Sequence, residues 1–136
     1  MASKELHCVV VTPERALLDE PADFVALPMY DGELGILPGR APLVGRLGTG
    51  ELRIRQGSTT THFFVDSGFV QVRDNVVTVL TSVAKKASEI YPDAMQNVLN
   101  GLLEQLKRTS GVDAQAEVLK SIDSARAQMR VGRKDT

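Results

Sequence analysis

Up to about Val83 the apolar residues alternate with polar ones inside short runs: ELHCVVVT, RALLD, DFVALPM, ELRIR, THFFVD, FVQVR and VVTVLTSV. These runs are rich in β-branched and aromatic side chains, which suit a pleated surface half-covered by a core. In ELRIR the alternation is strict, with Leu52 and Ile54 on one face and Arg53 and Arg55 on the other. Turn-forming residues separate the runs: Thr12-Pro13, Asp31-Gly32, Pro38-Gly39, the glycines from Gly48 to Gly50, Gln56-Gly57, Ser67-Gly68 and Asp74-Asn75. Short strands with frequent turns predict an antiparallel sandwich or barrel. Six of the eleven glycines fall within residues 31–55. A sandwich that turns corners needs glycine at bulges and at positive φ. Pro38 and Pro42 lack a backbone donor, which places their surroundings at an edge or a corner.

After about Ala84 the period changes. Met95, Val98, Leu99, Leu102, Leu103 and Leu106 recur at three- and four-residue steps, one face of an amphipathic helix. Pro92 suits its first turn, Asp93 complements its dipole, and Thr109-Ser110-Gly111 ends it. A second helix is expected to be capped by Asp113, with a thin stripe of Ala114, Val118, Ile122, Ala125 and Met129. A short link between two helices predicts an antiparallel hairpin. The fold class is therefore α+β, with a β-sandwich over 1–86 and a helical hairpin over 87–136.

Composition narrows the function. The net charge of −1 argues against nucleic acid as a partner, because phosphate binding draws on a basic excess. The charge is unevenly spread: seven basic and ten acidic residues lie up to Val83, and nine basic and seven acidic residues follow. Cys8 is the single cysteine and sits in the apolar run CVVV, where a buried, inert thiol is expected. No stretch reaches the ~20 apolar residues of a membrane helix, and the start MASKELHC does not read as a signal peptide. The expectation is a soluble protein of a reducing compartment, with no direct lipid anchor. His7 and His62 fall in different runs without a metal-ligand spacing, and no G-x-S-x-G or G-K-[ST] motif is present. No catalytic residue, cofactor or metal site is expected.

The stretch DGELGILPGRAPLVGRLGTGELRI resembles the signature of the epsilon subunit family of F-type ATP synthases, G-E-L-G-I-x-P-G-H-A-P-L followed by a short link and the next strand. The flanks LHCVVVTPERALLD and FVDSGFVQVRDNVVTVLTSVA agree with it, strongly through about residue 84 and more loosely beyond. The resemblance implies about ten short strands in the sandwich, then a hairpin. It implies a non-catalytic central-stalk subunit that couples proton translocation to ATP synthesis from ADP and phosphate. Its hairpin would fold on the sandwich or extend towards the catalytic head, where it restrains ATP hydrolysis.

The same resemblance assigns partners and places. Thr12, Pro13, Asp31, Gly32 and Glu33 would meet the c subunits of the rotor ring. Leu37, Pro38, Gly39, Arg40, Ala41 and Pro42 would face the gamma subunit, with Arg40 standing where the family often has histidine. Arg126, Arg130 and Arg133 recur at helical spacing, with Lys134 adjacent, and would meet the alpha and beta subunits in the extended state. The expected location is the cytoplasmic side of a bacterial inner membrane, as a peripheral part of the complex. Two other readings stay open: an ATP-sensing binding module, and a purely structural coupler without an inhibitory hairpin. Some family members bind ATP through an I/L-D-x-x-R-A motif at the start of the first helix; here Ile122-Asp123-Ser124-Ala125-Arg126-Ala127 carries that pattern in the second.

Overall fold

The computed structural model describes residues 5–133. Seven strands come first: β1 (Leu6–Val11), β2 (Ala16–Ala22), β3 (Phe24–Met29), β4 (Gly32–Ile36), β5 (Leu43–Gln56), β6 (Thr59–Arg73) and β7 (Val76–Lys86). A single 3-10 turn (Ala87–Glu89) leads to helices α1 (Pro92–Arg108) and α2 (Val112–Arg133). The strands form one sheet in the order β2-β1-β7-β6-β5-β3-β4. All neighbours are antiparallel except β1 and β7, which run parallel and make the sheet mixed rather than wholly antiparallel.

The sheet becomes a sandwich because its three longest strands are creased together. In β6 the core-facing residues are Phe63 and Val65, then Val70 and Val72. In β5 they are Leu47, then Leu52 and Ile54; in β7 they are Val77 and Val79, then Ala84. In all three strands the buried set jumps from odd to even positions or back, although side chains alternate strictly along a regular strand. The jumps fall on one line, since Leu47 pairs with Gly68 and Gly68 with Thr81. Ser67 and Gly68 hold φ of 59° and 129° there. A Cβ on Gly68 would lie 2.0 Å from the Leu80 carbonyl oxygen, so only glycine fits the crease. Gly48 to Gly50 and Ser67-Gly68, expected as turns that end strands, therefore bend β5 and β6 without interrupting them. Counted as two straight segments each, the creased strands bring the seven to the expected ten.

The two layers enclose one core, with Leu6, Leu27, Ile36, Leu47, Leu52 and Phe63 fully buried. Each such side chain contributes roughly 1.5–3 kcal/mol of transfer free energy. Helix α1 starts at Pro92 with Asp93 in its first turn, as the sequence suggests. Asp113 instead lies inside the first turn of α2, because Gly111, at φ 97°, already supplies the carbonyl that accepts the Gln115 N–H. Leu99, Val118, Ile122 and Met129 pair the helices, whereas Ala114 and Val98 are exposed. The thin stripe read for α2 is only part of its buried surface: Ala127 and Val131 are buried on a second side.

Candidate functional site

Three surfaces carry the residues singled out above. The first lies at the crease. Thr12 and Pro13 form the β1–β2 turn, which is closed by the Thr12 N–H and Oγ1–H donating to the Arg15 carbonyl at 2.9 and 3.2 Å. Tyr30 and Asp31 form the β3–β4 turn, and Gly32, expected in the turn, instead opens β4 opposite Met29. These turns stand at opposite ends of one cross-strand row, Tyr30, Arg46, Phe69, Leu80 and Val11. The Tyr30 N–H donates to the Arg46 carbonyl at 2.8 Å, and the Arg46 guanidinium stacks 4.9 Å above the Tyr30 ring. A groove of ≈ 360 Å³ beside Thr12 and Pro13 is lined by Phe69 and Leu80.

The sequence reading missed the apolar character of this face. Tyr30 is 71% exposed, Val44 76%, Phe69 58% and Leu80 49%. Large apolar side chains gathered on one sheet face mark an interaction surface. A signal was present in FVQVR: once Val70 and Val72 point inward, Phe69 must point outward.

Glu33 is more constrained than a loop carboxylate. Arg53 grips it with two prongs, Nη2 to Oε1 at 3.0 Å and Nη1 to Oε2 at 3.3 Å. Arg53 Nη1 also reaches Glu51 Oε1 at 3.2 Å, and Glu51 Oε2 meets His62 Nδ1 at 3.1 Å. The bond to Glu33 holds the Arg53 guanidinium above its usual range, against the opposing pull of burial. One polar ladder therefore spans β4, β5 and β6.

The second surface is the loop of residues 37–42, at the far end of the same layer. Arg73 begins the turn beside it, four residues from Phe69 and so about 13 Å along the strand. Leu37, Gly39, Arg40, Ala41 and Pro42 are exposed and Pro38 is half-buried. The Arg40 N–H donates to the Leu37 carbonyl at 3.3 Å, and the Gly39 N–H to Asn75 Oδ1 at 2.8 Å. A cleft of ≈ 560 Å³ opens here between Arg40, His7 and Asn75. His7 on β1 is itself paired with Asp19 on β2.

The third surface is the seat of the hairpin. Phe64 points away from the sandwich core and is covered by Ala87, Ile90, Ala127 and Val131, with Met95 at the margin. A Cβ on Gly132 would lie 2.9 Å from Ile90 Cγ2 and 3.2 Å from its carbonyl oxygen, so glycine lets the last turn of α2 close on Ile90. Lys85 Nζ donates to Gln128 Oε1 at 3.3 Å, and Ser124 Oγ–H to Asp66 Oδ2 at 3.5 Å. The hairpin is folded down on the sandwich. Arg126 and Arg130 face away from this seat and are exposed; the side chain of Arg133, like Lys134, lies outside the described residues. Ile122, Ala125 and Ala127 of the I-D-x-x-R-A pattern are buried in packing.

Among the described residues, no group of three or more His, Cys, Asp or Glu is placed to hold a metal ion, and no helix is long and apolar enough to cross a membrane. Burial pushes the Cys8 thiol up to about 12, with a smaller push from Glu20.

Comparison with known proteins agrees with this architecture. The family described as ATP synthase, delta/epsilon chain, beta-sandwich domain matches residues 5–87. An ATP synthase epsilon chain of Rhodopirellula baltica is 48% identical over 131 residues, covering 94% of this chain and 98% of that one. An ATP synthase epsilon chain of Nitratidesulfovibrio vulgaris is 35% identical over 130 residues, covering 96% and 90%. A chain in the cryo-EM structure of the Euglena gracilis mitochondrial ATP synthase, OSCP/F1/c-ring in rotational state 1, has a TM-score of 0.76 at 18% identity, covering 98% of this chain and 80% of that one. One from the central stalk/c-ring of the Tetrahymena thermophila mitochondrial ATP synthase has a TM-score of 0.64 at 17% identity, covering 100% and 99%. With a creased sandwich, a folded-down hairpin and near full-length kinship to epsilon chains, this protein belongs to the ATP synthase delta/epsilon chain family.

Proposed function

We propose that this chain is a non-catalytic rotor subunit of a bacterial F-type ATP synthase. It sits in the central stalk, couples proton translocation to ATP synthesis, and restrains ATP hydrolysis through its helices. The observation that carries the reading is the kinship to epsilon chains across both the sandwich and the hairpin. The exposed apolar face supports it, because large apolar side chains gathered on one face mark a surface that binds a partner.

In this reading the crease end, with Thr12, Pro13, Asp31, Gly32 and Glu33, meets the c subunits of the rotor ring. Residues 37–42, continued by Val44 and Phe69 on the apolar face, meet gamma. The folded-down hairpin is one of two states. In the other, α1 and α2 leave Phe64 and carry Arg126, Arg130 and Arg133 to the alpha and beta subunits. The subunit is then a peripheral component on the cytoplasmic side of the inner membrane.

The test is add-back to a complex stripped of this subunit, in vesicles. Restored ATP-driven proton pumping together with lowered ATP hydrolysis is the expected result. A complex that pumps and hydrolyses identically with and without the protein refutes the reading.

A further inference from the structure

We propose that Asn75 is the positioning residue of the gamma-facing turn, an inference that rests on the reading of residues 37–42 given above. Residues 37–40 form a β-turn closed by the Arg40 N–H donating to the Leu37 carbonyl at 3.3 Å. Pro38 takes the first central place and Gly39, at φ 87°, the second, which is the arrangement of a type II turn. The closing bond is long, and Pro38 and Pro42 have no N–H to add to it. The Gly39 N–H takes no part in that closure. It donates to Asn75 Oδ1 at 2.8 Å, across 36 residues of sequence.

Asn75 holds two further segments. With Asp74 it makes the two-residue turn between β6 and β7, at φ of 52° and 64°, where Arg73 faces Val76. Its carbonyl accepts the His7 N–H at 2.8 Å, at the start of β1. The same three segments wall the ≈ 560 Å³ cleft beside Arg40. One residue thus sets both the attitude of the turn and the shape of the cleft. Its chemistry fits the task. Glycine would supply the positive φ without an acceptor, and most other side chains would supply neither. Asparagine tolerates that backbone and places a carbonyl oxygen on Gly39.

Without this bond the turn samples other conformations, and a partner must order it on binding. The loss corresponds to about two- to tenfold weaker association, the range for one net neutral hydrogen bond. The experiment uses the full-length chain and measures affinity for gamma by calorimetry, with amide hydrogen exchange at Gly39 as the second readout. Asn75→Gly preserves the two-residue turn, since an Asp-Gly pair suits it, but removes the acceptor. It is expected to weaken gamma binding two- to tenfold and to speed exchange at Gly39, with the melting temperature lowered by no more than a few degrees. Asn75→Asp keeps an acceptor oxygen and tolerates the same φ, so it restores both readouts. Wild-type affinity in Asn75→Gly, or no restoration by Asn75→Asp, overturns the proposal. Leu37→Asp separates the contact made by the turn from the positioning role of Asn75. If that change also leaves binding untouched, residues 37–42 do not face gamma; if it weakens binding while Asn75→Gly does not, the positioning role alone fails.

Discussion

Replacing Phe64 by alanine should release the hairpin and leave the sandwich standing. Phe64 is fully buried, yet it belongs to the cluster of Ala87, Ile90, Ala127 and Val131 and not to the core between the layers. Truncating a buried phenylalanine costs ~3–5 kcal/mol. The lower figure applies here, because α2 can settle into part of the space. At about 1.4 kcal/mol per factor of ten, the ratio of docked to undocked hairpin falls roughly a hundredfold. The helices should stay paired with each other, since Leu99, Val118, Ile122 and Met129 are untouched. Amide hydrogen exchange on the full chain reads the result. Protection should fall around Ala127 and Val131 while Val70, Val77 and Val79 keep theirs. In the assembled complex ATP hydrolysis should fall, because an undocked hairpin is free to extend. Unchanged exchange in α2, or an equal loss across the strands, refutes the assignment of Phe64 to the seat.

A fragment of residues 1–86 should fold with a β-sheet circular dichroism spectrum, since the core between the layers contains no helical residue; an unfolded spectrum contradicts this. Glu33→Lys should lower ATP-driven proton pumping in vesicles, and pumping at the wild-type rate removes Glu33 from the rotor-ring contact. A charge reversal at an exposed position usually stays within ±0.5 kcal/mol, but here it sets a cation against Arg53, so a loss nearer ~1 kcal/mol is expected by thermal denaturation. Changing Arg126, Arg130 and Arg133 to alanine should relieve inhibition of hydrolysis at low salt and less so at high salt, without loss of assembly; equal hydrolysis by both complexes at low salt reduces these arginines to partners of the helix dipole. Cys8 should resist iodoacetamide at pH 8 until the chain unfolds, because its folded value is about 12 against 9.0 in the open chain. Protons are retained in the folded state, so this contribution to stability is complete below pH 9.0 and is lost as the pH rises towards 12.

Local patterns of the chain determined a good deal of this protein. Alternation in ELRIR put Leu52 and Ile54 inside, the three- and four-residue steps of α1 marked, Val98 apart, the face it turns to α2, and Pro92 marked its start. Such features depend on neighbours within a few residues, where backbone geometry alone sets which side chains share a face. The G-E-L-G-I-x-P-G stretch placed the chain in its family because positive φ at Gly32 and Gly39 and the Phe24 ring against Gly35 leave few residue choices. Other features depended on segments far apart in the chain. Whether Gly48 to Gly50 and Ser67-Gly68 reverse a strand or crease it is decided by the register between β5, β6 and β7. Phe64 and its neighbours Phe63 and Val65 look alike in sequence, and only the docked helix separates a hairpin seat from a core. Glu33 meets Arg53 across 20 residues and Asn75 meets Gly39 across 36. Such pairs follow from strand order and crease geometry, which only a completed core defines. Thus the strands, the helices and the family were legible along the chain, while the apolar docking face, the Glu33 clamp and the Asn75 tie arose when distant strands were brought into register.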